Sequence, residues 1–161
     1  MGLFGYKLDE GFIFYHVLEF LKSQDWRVIG GEPPDGTSDD VPRIVIRDSQ
    51  RSEKSKNKNT QKIDLMAIKL GQLLLIELKP LFDITDKKKL DNLVDNKITD
   101  IFNAIEERTE IKRKDVSKCI KSLGFSNSSE FPDLQDFVLF LVNANGEVHI
   151  KKGTNISKFE I

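Results

Sequence analysis

The chain lacks several features that would place it in a specialised class. It has one cysteine, Cys119, among 161 residues, which excludes an internal disulfide framework and favours a reducing compartment. Every apolar run is shorter than the ~20 residues that a membrane-crossing helix needs, and the first residues do not resemble a secretory signal. We therefore expect a soluble, cytoplasmic protein that does not enter a membrane.

Common cofactor and catalytic motifs are also missing. The only two histidines, His16 and His149, do not form a zinc-spaced set with cysteine, and we expect structural roles for both. The sequence contains no internal repeat, no Walker-type glycine loop and no nucleophile elbow. A net charge of −1 gives no general attraction to an anionic partner, so any contact with nucleic acid must come from local basic patches.

The composition that remains, 39% hydrophobic and 32% charged, fits one globular domain over residues 1–161 with a sizeable core. Its most informative stretch is residues 62–79, where two apolar runs of strand length flank Gly71-Gln72. This pattern predicts a β-hairpin with a type II′ turn, in which Asp64 lies opposite Lys79 and Met66 opposite Glu77. Since opposite residues share a face of the sheet, we expect Asp64, Glu77 and Lys79 to project from one side.

Two acids and a lysine in an otherwise apolar hairpin require an explanation. Ionised groups in buried strands are costly unless they are paired, hydrated or bound to metal. Carboxylate oxygens suit Mg²⁺, and a nearby lysine can orient a water or neutralise an attacked phosphate. The alternative is a surface hairpin with an Asp64–Lys79 ion pair and Glu77 at an exposed edge, which contributes roughly 0.2–1 kcal/mol and needs no function.

Asp64 followed by Glu77-Leu78-Lys79 resembles the active-site signature of the PD-(D/E)XK nuclease superfamily, which includes restriction endonucleases and Holliday junction resolvases. The resemblance implies an α/β, restriction-endonuclease-like core of helix, three strands, helix and strand, with a mixed central sheet flanked by helices. It also implies that Asp64, Glu77 and the Leu78 carbonyl bind Mg²⁺, or Mn²⁺ in its place, and that Lys79 assists the attacking water. Ile63 replaces the literal proline of the motif, at a position that varies in the superfamily.

Other acids are further candidates for the site. A helix predicted over residues 9–24 places Glu10 on the apolar face with Phe14 and Val17. The resemblance makes Glu10 a candidate third carboxylate; the alternative is a favourable acid in the first helical turn. The predicted loop 31–42 offers a different metal acid in place of Asp64, with the candidates Asp35, Asp39 and Asp40.

The remaining elements follow from local pattern. We predict strands at 26–30 and 43–47 that pair with each other, a polar loop at 48–62, one long amphipathic helix over 83–108 and a short helix at 115–123. A core of residues 9–142 then closes with an apolar strand at 137–142, which forms a hairpin over 137–151 through Asn145-Gly146. Lysines near the motif could contact phosphates or form solvated faces; they are Lys54, Lys56, Lys58, Lys62, Lys87 and Lys88.

Motif and element order together predict a Mg²⁺-dependent DNA endonuclease, either a restriction-type enzyme or its cleavage subunit, working as a homodimer or beside a specificity subunit. One alternative is a Holliday junction resolvase or another structure-selective or repair nuclease, although resolvases are commonly basic. A second is a nuclease-like module that binds DNA or a protein without cutting. The presence of Asp64, Glu77 and Lys79 together favours catalysis over this second alternative.

Overall fold

The computed structural model describes residues 9–33, 41–48 and 60–161, which form an α/β fold with a mixed sheet. The helices in these ranges are α1 (Glu10–Ser23), α2 (Ile84–Asn96) and α3 (Ile98–Arg108). The strands are β1 (Arg27–Gly31), β2 (Val45–Arg47), β3 (Thr60–Lys62), β4 (Leu65–Lys69), β5 (Gln72–Leu78), β6 (Lys118–Ser126), β7 (Phe137–Val142) and β8 (Val148–Lys152).

Six strands form the main sheet in the order β1-β4-β5-β6-β7-β8. Strand β4 is antiparallel to both of its neighbours, β1 and β5. Strands β5, β6 and β7 are parallel to one another, and β8 is antiparallel to β7. Parallel neighbours need a crossover, and α2 and α3 supply it between β5 and β6. Strand β5 therefore lies in the interior of the sheet, and all seven of its residues are buried.

Each face of the sheet has its own apolar core. On one face, Val17 and Leu21 of α1 pack with Leu74 and Phe140. Helix α1 begins at the Asp9 cap, whose Oδ1 accepts the N–H of Phe12 at 2.7 Å, and its apolar side chains recur at helical spacing. On the other face, α2, α3 and the β2–β3 ribbon cover a second cluster that includes Leu75, Leu93, Ile105 and Leu123. None of the helices in the described ranges has the length and apolar character to cross a bilayer.

The register predicted for the central hairpin is wrong by two residues. The pairs are Leu65 with Ile76 and Lys69 with Gln72, so the turn is Leu70-Gly71. Both turn residues have positive φ, 52° and 77°, which is typical of a type I′ turn and matches the twist of the strands. A shift of two keeps every side chain on its predicted face, because the side-chain period of a strand is two.

Residues 115–123 do not form the predicted helix. After a 3-10 turn at Arg113–Asp115, the chain enters β6 between β5 and β7. The apolar side chains of Cys119, Ile120 and Leu123 fit either a helical or a two-sided strand pattern. The segment forms a strand because it pairs with β5. As a strand it packs Ile120 on the α1 face of the sheet and Leu123 on the opposite face.

Two further predictions need correction. The long helix is interrupted at Lys97, where φ is −134° and ψ is 27°, and α3, which begins after the break, packs against β2. The strand predicted at 43–47 pairs with β3, which lies within the predicted loop 48–62, rather than with β1. The segment 43–47 touches β1 through one parallel bridge, between Arg43 and Gly31.

Candidate active site

Asp64 and Glu77 lie side by side at one end of the central strands. Asp64 immediately precedes β4, and extension of the Leu65–Ile76 pairing brings it opposite Glu77. The backbone N–H of Asp64 donates to Glu77 Oε2 at 2.9 Å. The sheet pairing therefore holds two carboxylates together, as the sequence predicted, although the cross-strand partner of Asp64 is Glu77 rather than Lys79.

The Leu78 peptide joins this pair. Its N–H donates to Asp64 Oδ2 at 2.8 Å. The N–H and C=O of one strand residue point to the same lateral side, so the Leu78 carbonyl also points toward the Asp64 side of β5. The structure thus brings the predicted backbone ligand to the same end of the strand as the two acids.

Glu77 is buried and paired with a lysine from α2. Only 4% of Glu77 is exposed, which rules out the alternative of an acid at an exposed hairpin edge. Its Oε1 accepts a hydrogen bond from Lys89 Nζ at 2.5 Å, and Lys89 Nζ also donates to the backbone carbonyl of Lys62. The ammonium of Lys89 is therefore held between two oxygens of the candidate site.

The electrostatics of Asp64 reflect this crowding. Burial, followed by the negative charge of Glu77, raises the pKa of Asp64 to about 7, with a smaller contribution from Glu10. The Leu78 N–H and the charge of Lys89 act in the opposite direction. Two carboxylates this close in a partly buried place favour either a proton or a bound cation between them.

Lys79, the predicted catalytic lysine, pairs with two acids at the start of α2. Its Nζ lies 2.9 Å from Asp83 Oδ2 and 3.8 Å from Asp86 Oδ1. The hydrogen bond to Asp83 is the largest of several contributions that raise the pKa of Lys79. Asp86 is 8% exposed, and burial, followed by the charge of Glu77, raises its pKa to about 6. Asp86 therefore belongs to the same electrostatic cluster as Glu77.

Glu10 reaches the cluster from the opposite layer. It is the first residue of α1 and is exposed, yet its charge raises the pKa values of both Asp64 and Lys79. The structure therefore brings it near the two residues with which the sequence grouped it. Glu10 also lies in the first turn of α1, so it fits the alternative role of an acid that interacts favourably with the helix dipole.

Gly31 fixes how closely β1 approaches the site. A Cβ built on Gly31 would lie 2.3 Å from the carbonyl oxygen of Asp64. The next residue, Glu32, donates its N–H to that same oxygen at 3.0 Å. A residue without a side chain is thus required at position 31, because only then can β1 approach the backbone of Asp64 on the side away from β5.

The candidate DNA-contact lysines have different surroundings. Lys62 pairs with Glu32 at 3.1 Å and Lys87 with Asp91 at 2.6 Å, whereas Lys88 is exposed. The remaining candidate lysines, Lys54, Lys56 and Lys58, lie outside the described residues. The alternative metal acids Asp35, Asp39 and Asp40 lie outside them as well.

The donor set suits a hard divalent cation that keeps part of its water shell. Among the described residues, no three His, Cys, Asp or Glu side chains are arranged to hold a metal ion. Mg²⁺ does not require such a cage, because one or two carboxylates with water and substrate phosphate complete its shell. The two carboxylates held side by side by the Asp64 and Leu78 N–H groups are the observation that favours a cation here, and the raised pKa of Asp64 agrees with it.

Sequence reasoning missed two members of this cluster, Asp86 and Lys89. Both residues lie in the first turns of the helix predicted over 83–108, outside the motif itself. The available signal was helical spacing, since Asp86 lies one turn before the buried Leu90 and Lys89 is adjacent to it. The contact with Glu77 itself depends on how α2 docks on the sheet.

Compared with protein-family models, curated proteins and solved structures, the chain gives no match.

Proposed function

We propose that this domain is a Mg²⁺-dependent DNA endonuclease, of the restriction type or the cleavage subunit of such an enzyme. The observation that supports it best is the pair formed by Asp64 and Glu77, held together by the Asp64 N–H at the end of the central strands. The order of α1, β1, β4, β5, the helices and β6 supports the proposal, because it follows the helix, three strands, helix and strand that the resemblance implies. In this order β6 takes the place of the closing strand predicted at 137–142, and the β2–β3 ribbon, which includes most of the strand predicted at 43–47, is an insertion.

Each residue has a defined task in this proposal. Asp64, Glu77 and the Leu78 carbonyl hold the metal, and Glu10 completes or tunes its surroundings. The bound metal supplies Lewis-acid stabilisation of a phosphate and lowers the pKa of a coordinated water. Lys79 breaks its ion pair with Asp83 and then orients the attacking water. The Lys79 side chain is 42% exposed, so it has room for this movement. In this proposal Lys62 and Lys88 neutralise phosphates of an incoming strand.

The test is a cleavage assay on supercoiled plasmid, linear duplex and a four-way junction, with Mg²⁺ or Mn²⁺ against EDTA. Glu77→Gln should lose both cleavage and metal binding. Lys79→Ala should lose roughly 10²–10⁴-fold in rate but keep metal affinity within about threefold. Glu107→Gln and Lys152→Ala, which change exposed residues on α3 and β8, are the matched controls.

The choice of substrate separates the related activities. Symmetric cleavage of the junction with no cutting of linear duplex would favour a resolvase. A second candidate function, a module that binds DNA or a protein without cutting, is favoured by the pairing of Lys79 with Asp83 and Asp86. Metal binding without cleavage of any substrate would support this module and count against the nuclease.

A further inference from the structure

Lys89 places a positive charge directly against Glu77, one of the three proposed metal ligands. Its ammonium contacts Glu77 Oε1 at 2.5 Å and the carbonyl oxygen of Lys62, two oxygens of the kind that Mg²⁺ binds. The side chain is 28% exposed, whereas that of Glu77 is 4% exposed. Lys89 therefore balances the charge of Glu77, whose other oxygen accepts only the neutral N–H of Asp64 among the recorded hydrogen bonds of the described residues.

The neighbouring lysines do not share this role. Lys87 pairs with Asp91, Lys79 pairs with Asp83, and Lys88 is exposed. A buried carboxylate that loses its counter-ion is strongly destabilising, so in the metal-free protein Glu77 depends on Lys89, the cation that pairs with it among the described residues.

We propose that Lys89 is a tethered stand-in for the metal: it holds Glu77 in its ligand position in the metal-free protein and must leave when Mg²⁺ binds. This inference rests on the proposed metal site. Two cations cannot share Glu77 Oε1 at contact distance without strong repulsion, so Lys89 competes with the ion that it imitates. The displaced ammonium stays tethered to α2 beside Lys88, where it adds positive charge to the side from which a phosphate would approach.

The first experiment compares wild type with Lys89→Met, which keeps side-chain length and removes charge, and with Lys88→Met as the control. Without metal, in EDTA, Lys89→Met should melt roughly 5–15 °C below wild type, because Glu77 loses its partner. Mg²⁺ should restore most of that loss and should bind the variant roughly tenfold more tightly in calorimetry. Lys88→Met should match wild type in both measurements.

A second experiment uses wild type alone and does not depend on the folding of a variant. Amine acylation followed by peptide mass spectrometry would measure the reactivity of Lys89 with increasing Mg²⁺, at ionic strength held constant with NaCl. We expect the reactivity of Lys89 to rise several-fold as the metal site fills, while that of Lys88 stays constant.

The outcomes separate this inference from the function on which it rests. If wild type binds Mg²⁺ but Lys89→Met binds it equally or more weakly, or Lys89 reactivity stays constant at saturation, the stand-in role is wrong and the metal site remains. If neither protein binds Mg²⁺ or Mn²⁺, the proposed metal site is wrong and the inference fails with it. Tighter binding by the variant together with increased Lys89 reactivity supports both.

Discussion

Asp64 and Glu77 are tied together reciprocally. The N–H of Asp64 donates to the carboxylate of Glu77, while the carboxylate of Asp64 accepts the N–H of Leu78, the residue next to Glu77. The backbone pairing of β4 with β5 stops at Leu65 and Ile76. Beyond that pair, each carboxylate accepts a backbone N–H of the other strand and so continues the hydrogen bonding between the strands. This arrangement places two carboxylates at a strand end with little rotational freedom, which is the preorganisation that a metal site needs.

Metal binding should depend on pH through Asp64. Because the pKa of Asp64 is raised to about 7, a proton competes with the metal below that pH. We expect Mg²⁺ affinity to fall by up to about tenfold per pH unit below pH 7 and to level off above pH 8. Calorimetric titrations at pH 6, 7 and 8 would measure this. Affinity that is equal at all three pH values would contradict the assigned cause.

The same carboxyl should lower the stability of the metal-free protein at high pH. A folded-state pKa above the ordinary 3.8 means that its contribution to stability is full below about pH 4 and is lost as pH rises through 7. Asp64→Asn should therefore raise the free energy of unfolding by roughly 1–3 kcal/mol at pH 8 and by much less at pH 5. Urea denaturation in EDTA, with the exposed Asp95→Asn as control, measures both values. An equal effect at the two pH values would speak against ionisation as the reason.

Two adjacent glycines of β1 should respond differently to alanine. A Cβ at Gly31 meets the backbone of Asp64, whereas a Cβ at Gly30 meets the buried side chain of Ile44 and the carbonyl oxygen of Pro42. Both changes should destabilise by about 1–3 kcal/mol, but only Gly31→Ala should shift Asp64 and weaken Mg²⁺ binding. Denaturation and calorimetry on the two variants provide the comparison. Equal metal affinity in both would mean that β1 does not position Asp64.

The central hairpin should gain stability from a better turn residue. Leu70 has a φ of 52° and is 70% exposed, so it is held in a left-handed conformation with little burial in return. Leu70→Asn creates Asn-Gly, the preferred type I′ pair, and should stabilise by about 0.5–1 kcal/mol. Leu70→Ala, which shortens the side chain without favouring positive φ, is the control and should not stabilise. Urea midpoints of the two variants distinguish the conformational effect from the removal of an exposed apolar group.

Much of the fold was predictable where a single period governs a segment. Helix α1, strand β5 and the β7–β8 hairpin carry clear helical or strand patterns with identifiable turn signals, and the structure confirms each of them. The shared face of Asp64 and Glu77 was predicted for the same reason. A register error of two residues changed their partners but not their side of the sheet, since alternation along a strand repeats every two residues.

Other features depend on long-range contacts that local pattern does not contain. The segment that became β6 has apolar spacing compatible with a helix, and only the open edge of β5 makes it a strand. The break at Lys97 follows from the packing of α3 on β2, and the pairing of Lys89 with Glu77 follows from the docking of α2 on the sheet. The sequence by itself determined which side chains share a face, through the periods of strand and helix. The tertiary structure decided that Lys89 pairs with the buried Glu77, because this contact joins α2 to β5 and the distance between them is set by how the helix packs on the sheet.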